Sequence, residues 1–132
     1  MKKFFLLATA LLLLTSCQES LEERAAREAR EVTESKCPMP LGDTMYLDSI
    51  VFDIPTLTQT QYFRFTGIKD NDSTVATMKE TNLKDVLVTE LKNTPSYKTL
   101  MKRGVNFRYI YRSTLDPQKT YIDITIRQED YQ

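Results

Sequence analysis

Between Val105 and Arg127 the sequence alternates with period two, twice over, and no other stretch restricts the fold as much. Val105, Phe107, Tyr109 and Tyr111 alternate with Asn106, Arg108 and Arg112, and Ile110 is the one break in the pattern. Further on, Ile122, Ile124 and Ile126 alternate with Tyr121, Asp123, Thr125 and Arg127. Successive side chains of a strand point to opposite faces, so each run has one apolar and one polar side. Residues 113–118, with Asp116-Pro117, carry turn chemistry between the two runs. The pair is expected as an antiparallel hairpin that buries one face and leaves the other wet.

The upstream half asks for a second hairpin. Residues 44–53, with Tyr46, Ile50, Val51 and Phe52, read as a strand that ends before Pro55. Residues 61–66 put Phe63 and Phe65 on one side and Arg64 on the other, while residues 67–73, with Asp70-Asn71-Asp72, read as a polar loop. Helices surround these strands. Ser20 followed by Glu23 has capping-box spacing, and strong helix formers after it carry a thin stripe of Leu21, Ala25, Ala29 and Val32. Cys37-Pro38-Met39-Pro40 stops that helix. A second helical region opens at Asn82 and aligns Leu83, Val86, Leu87 and Leu91. Thr94-Pro95 then starts a short helix with Tyr97, Leu100 and Met101 inward and Gly104 as its left-handed stop. The order is helix, strand, strand, then the same again. It predicts an α+β fold, αββαββ, whose antiparallel four-stranded sheet packs its apolar face against helices.

The first residues stand outside that fold. Met1-Lys2-Lys3, an apolar run over residues 4–14 and the small pair Thr15-Ser16 read as a secretory signal, too short to span a membrane. Leu14-Thr15-Ser16-Cys17 resembles the lipobox of bacterial lipoproteins. The resemblance implies cleavage before Cys17, a diacylglycerol thioether on that cysteine and usually a further amide-linked chain. One acyl chain holds only marginally, so several make attachment effectively permanent. By resemblance to enteric lipoproteins, Gln18 in place of an aspartate points to the outer membrane. The expected organisation is a signal at 1–16, a lipid-anchored tether at 17–24 and one domain at 25–132. Lipidation consumes one of the two cysteines, which leaves Cys37 without a disulfide partner. The core alone has to hold the fold.

A second resemblance rests on Cys37-Pro38-Met39, Gly42-Asp43, Leu47-Asp48-Ser49-Ile50, Leu100, Gly104-Val105, Phe107-Arg108-Tyr109-Ile110-Tyr111 and Asp130-Tyr131. The pattern is similar to that of small exported bacterial domains built as a duplicated helix–hairpin unit, and it covers residues 25–131. Its residues are core and turn positions, so it implies a fold and no activity.

Catalytic chemistry has little to work with. The chain has no histidine, which removes the commonest general base and metal ligand, and three glycines cannot build a phosphate loop. No metal, cofactor or nucleic acid is expected. The charge is balanced at 18 basic and 18 acidic residues, and Lys2 and Lys3 leave with the signal. Asp43, Asp48 and Asp53 fall at the bounds and on the polar side of a strand. Asp70-Asn71-Asp72 opens like a calcium loop, but Val75 and Thr81 occupy the positions that need glycine and glutamate. Cys37 follows a helix C-terminus, whose field opposes a thiolate, and reads as a small buried residue. The candidate binding face is the polar side of the sheet, with Arg64, Arg108, Arg112 and Arg127 and, among them, Tyr121 and Asp123.

These features predict a lipid-anchored envelope protein that is not an enzyme. It would be a binding or structural module for an envelope protein partner. The other class consistent with them is an inhibitor or immunity-type protein that occupies a periplasmic or surface enzyme.

Overall fold

A computed structural model describes residues 18–132. Helix α1 (Leu21–Lys36) starts where Ser20 caps it, its hydroxyl accepting from the Glu23 amide at 3.1 Å. Strands β1 (Met39–Pro40), β2 (Met45–Asp53), β3 (Thr58–Phe65), β4 (Asn106–Ser113) and β5 (Thr120–Ile126) form one sheet in sequence order. Between β3 and β4 the chain makes a 3-10 turn (Gly67–Lys69), α2 (Asp72–Glu80), α3 (Leu83–Asn93), a second 3-10 turn (Pro95–Tyr97) and α4 (Lys98–Arg103). Helix α5 (Gln128–Tyr131) closes the chain.

The architecture is α+β, as the alternation requires, but two expectations give way. The sheet has five strands instead of four, and the helices do not follow the order αββαββ. Both hairpins, β2–β3 and β4–β5, are antiparallel, yet β3 and β4 lie parallel, with Gln61 beside Tyr109 and Phe63 beside Tyr111. A tight turn reverses the chain, whereas a long helical crossover returns it to the end from which the previous strand set out. The helices between residues 66 and 105 make such a crossover. Part of it was expected as loop. The Asn71 side chain accepts from the Thr74 amide at 2.9 Å and starts α2 within that polar stretch. Strand β3 begins at Thr58, earlier than the alternation of Phe63 and Phe65 reveals, because its first four residues are all polar.

Helices cover one face only. Phe63 stacks on Tyr111 at 4.8 Å, and Phe107 meets Tyr97 and Tyr131 edge-on at 5.5 and 6.1 Å. Ala25, Ala26 and Ala29 are buried in α1, small side chains that let the helix sit close to β2. That helix also guards the sheet edge. Thr33 Oγ1 donates to the Ile50 carbonyl at 3.0 Å and accepts from the Ile50 amide at 2.9 Å, while β1 pairs with Tyr46 and Leu47. Edge strands with free backbone groups invite pairing with other chains, and here the edge is occupied. An ion pair from Glu22 to Arg103 ties the first turn of α1 to α4.

Candidate functional site

The outer face of the sheet bears no helix and carries most of the polar residues singled out in the sequence. Across β2, β3 and β4, Tyr46, Arg64 and Arg112 form one row and Val51, Thr60 and Arg108 another. Two arginines side by side would repel, but each lies over a ring. The Arg64 guanidinium sits 4.3 Å from the centre of Tyr46 and that of Arg112 sits 5.0 Å from Tyr62. Arg64 also donates to Asp48 Oδ1 at 2.7 Å. Arg108 grips Asp123 with two parallel bonds of 2.8 and 2.6 Å. Those bonds, with the adjacent positive charge, hold the Asp123 carboxyl below the ordinary range against some opposing burial. Ile110, the break in the alternation, is only 4% exposed on this otherwise wet face. On the neighbouring strands it lies between Tyr62 and Asp123.

Two residues of the expected set are elsewhere. The register of β4 and β5 shifts between Tyr111 and Arg112, which leaves Tyr121 as the extra residue of a bulge. Its ring turns to the helix side, 6.1 Å from Phe65, and its hydroxyl donates to Asp70 Oδ1 at 2.8 Å. Arg127 lies past the end of β5 and opens α5, its amide donating to Asp130 Oδ2. The face that remains is Arg64, Arg108, Arg112 and Asp123, joined by Tyr46 and Tyr62. Both tyrosines were visible in the strands, but only the strand register shows them under arginines. Cys17 lies outside the described residues.

The inner face holds a feature that the alternation does not predict. Helix α1 packs on β2, while α2 and α3 gather over β5, so a seam runs above β3. Two cavities open along it, of about 390 Å³ beside α1 and about 300 Å³ beneath α3, and Tyr97 lines both. Gln59 lines the first, in a row between Phe52 and Phe107 where an apolar residue would pack. Tyr109 and Tyr111 line the second. These three residues are 8%, 6% and 5% exposed, and none of their side chains has a hydrogen-bond partner among the described residues. Among the described residues no buried side-chain polar atom is sealed away without a partner, so the three polar ends reach solvent. Burial, with the nearby Glu90 charge, pushes the Tyr111 hydroxyl up to about 12, and Tyr109 is raised further for the same first reason. Both stay neutral donors. Gln61, beside Tyr109 on β3, donates to the Tyr97 hydroxyl at 3.3 Å.

The remaining candidates have structural partners. Asp70 accepts from the Thr114 and Leu115 amides at 3.0 and 2.9 Å, Asp72 pairs with Lys119, and Asp53 closes a turn onto Thr56. Cys37 is half-buried, and burial followed by the Asp48 charge raises its thiol above the ordinary value. Among the described residues no group of three or more cysteines and carboxylates converges as metal ligands would.

A family model described as Domain of unknown function (DUF8479) matches residues 20–122, and a model of the prokaryotic membrane lipoprotein lipid attachment site matches residues 1–18. The protein is therefore a lipid-anchored protein of the bacterial envelope. No curated protein matches the sequence. The fold is similar to that of a candidate secreted protein from Pseudomonas aeruginosa, with a TM-score of 0.63 and 11% identity over 87% of this chain and 100% of that one. It is similar also to the pilotin EpsS of the Vibrio vulnificus type 2 secretion system, with a TM-score of 0.61 and 14% identity over 85% of this chain and 92% of that one. At these identities the likeness is one of fold.

Proposed function

The chain belongs to the DUF8479 family, and from that premise we propose that it is a non-enzymatic binding module, anchored to the outer membrane, that holds an envelope protein partner. The observation that carries this reading is the outer sheet face, where Arg64 and Arg112 are braced over Tyr46 and Tyr62 on a rigid sheet. Tyrosine and arginine dominate binding hot spots because they combine large contact area with directed hydrogen bonds. Held in place before binding, they lose little conformational freedom on contact. Gln18 after the lipid-bearing cysteine supports the outer membrane, as does the fold shared with a secretion-system pilotin. The absence of histidine from the whole chain weighs against turnover.

The test is capture from envelope extract by the lipidated chain, compared with Arg112→Glu on the outer face and Lys92→Glu on exposed α3. Arg112 is exposed and has no carboxylate partner among the described residues, so its reversal breaks no ion pair, and circular dichroism of the variant checks its fold. Loss of the partner with Arg112→Glu and its retention with Lys92→Glu is the expected result. Identical capture by all three proteins would overturn the outer-face reading. A tight one-to-one complex that silences a single envelope enzyme would instead favour an inhibitor or immunity-type protein.

A further inference from the structure

Where α3 ends and α4 and α5 meet, positive charge gathers with nothing to balance it. Lys92, Lys98 and Lys102 line one cavity of about 410 Å³, which Met101 and Tyr131 also line. All three lysines are exposed, and none is ion-paired among the described residues. No acidic side chain lines the cavity among those residues, and the sequence from Leu91 to Leu115 contains none. Lys98 and Lys102 stand four residues apart on α4, the spacing at which like charges repel along a helix. An anionic group in the cavity would relieve that repulsion.

The source of that anion follows from where α4 is held. Its last residue, Arg103, is ion-paired with Glu22, and Leu21 and Arg24 of α1 line one cavity with Thr99 and Leu100. The lysines therefore sit beside the start of α1. Five peptide units separate Glu22 from Cys17 of the lipid attachment site, so the chain between them spans at most about 17 Å. Basic residues this close to an anchor meet the lipid surface, and anionic headgroups attract each of them. We propose that Lys92, Lys98 and Lys102 bind the phosphate groups of anionic lipids in the membrane that holds Cys17. The acyl chains keep the protein at the bilayer, and the lysines set which side of the domain lies against it. Lysine suits this role, as a flexible point charge with three donors and no fixed geometry to satisfy. The helices carry the cluster on the inner side of the sheet, so variants of it leave partner capture by the outer face in place.

The test uses the lipidated mature chain in nanodiscs of phosphatidylcholine alone and of an equal mixture with phosphatidylglycerol. A neutral, water-soluble amine reagent reads the exposure of each lysine, resolved by mass spectrometry. Labelling of Lys92, Lys98 and Lys102 is expected to slow at least about threefold on the anionic discs, and molar salt to remove the difference. Lys36, at the far end of α1, and Lys69, beyond the far end of β3, should label alike on both. Lys98→Gln with Lys102→Gln should abolish the slowing at Lys92. Lys36→Gln with Lys69→Gln removes the same charge and should leave that slowing in place. Equal labelling of the cluster on the two discs, or equal slowing at Lys36 and Lys69, would overturn the proposal. So would slowing at Lys92 that survives Lys98→Gln with Lys102→Gln. Protection of the cluster by a captured partner on neutral discs would also overturn it, marking the patch as a protein contact.

Discussion

The Tyr121 hydroxyl donates to Asp70 Oδ1 at 2.8 Å, and this bond joins the bulge of β5 to the turn before α2. The other oxygen of Asp70 accepts from the Thr114 and Leu115 amides, so one buried carboxylate gathers the far end of the β4–β5 hairpin. Burial works against its charge. The Leu115 amide, the Ser113 and Tyr121 hydroxyls and the Thr114 amide outweigh that and hold the carboxyl below its ordinary value.

Asp70→Asn is expected to cost about 1–3 kcal/mol of unfolding free energy at neutral pH, measured in urea. Because the folded value lies below the unfolded one, near 3.9 for aspartate, the stabilisation is complete above that pH and fades as pH falls through the folded value. The difference between wild type and variant should therefore shrink below about pH 4. Tyr121→Phe removes one of the donors to that carboxylate and should lose less.

Thr33→Val keeps the shape of the side chain and removes both of its bonds to Ile50. A loss of about 1–2 kcal/mol is expected, with faster hydrogen exchange at the Ile50 amide. The bared edge of β2 should also raise self-association, which sedimentation would detect.

Phe107 is 1% exposed and sits between Tyr97 and Tyr131, one ring from a 3-10 turn and one from α5. Phe107→Ala should cost about 3–5 kcal/mol, because the cavity lies where three elements meet and cannot collapse. Chemical denaturation would measure it.

Gly104 has φ +85°, and a Cβ there would come within 3.2 Å of Gln128 Oε1. Gln128 is exposed and can move aside, so backbone strain sets the cost. Gly104→Ala should lose about 1–2 kcal/mol in thermal or urea unfolding.

Cys17→Ser removes the thiol that the attachment-site pattern marks for lipidation. The variant should lose fatty-acid labelling and leave the membrane pellet, with the fold of residues 18–132 unchanged by circular dichroism.

The sequence alone determined what depends on neighbouring residues. Period two at 105–111 and 122–126 showed β4 and β5 and their buried sides, Ser20 marked the start of α1, and Gly104 marked the end of α4. These signals are local, because a strand turns its faces every second residue and a cap bonds an amide three residues on. Residues 1–18 likewise determined the lipid anchor, since a short linear pattern is read before any folding. The tertiary structure decided the rest. Strand β4 lies parallel to β3 because the helices between them cross back over the sheet, and no period in either strand records that direction. Tyr121 changed faces because its partner strand left it one residue too many, a mismatch visible only when β4 and β5 are paired. Gln59 lies ahead of residues 61–66, where the alternation shows the strand, and no local signal marked it. Only the packing of α1 on one side and α3 on the other put it, with Tyr109 and Tyr111, at the floor of an open seam, because burial is set by elements distant in sequence.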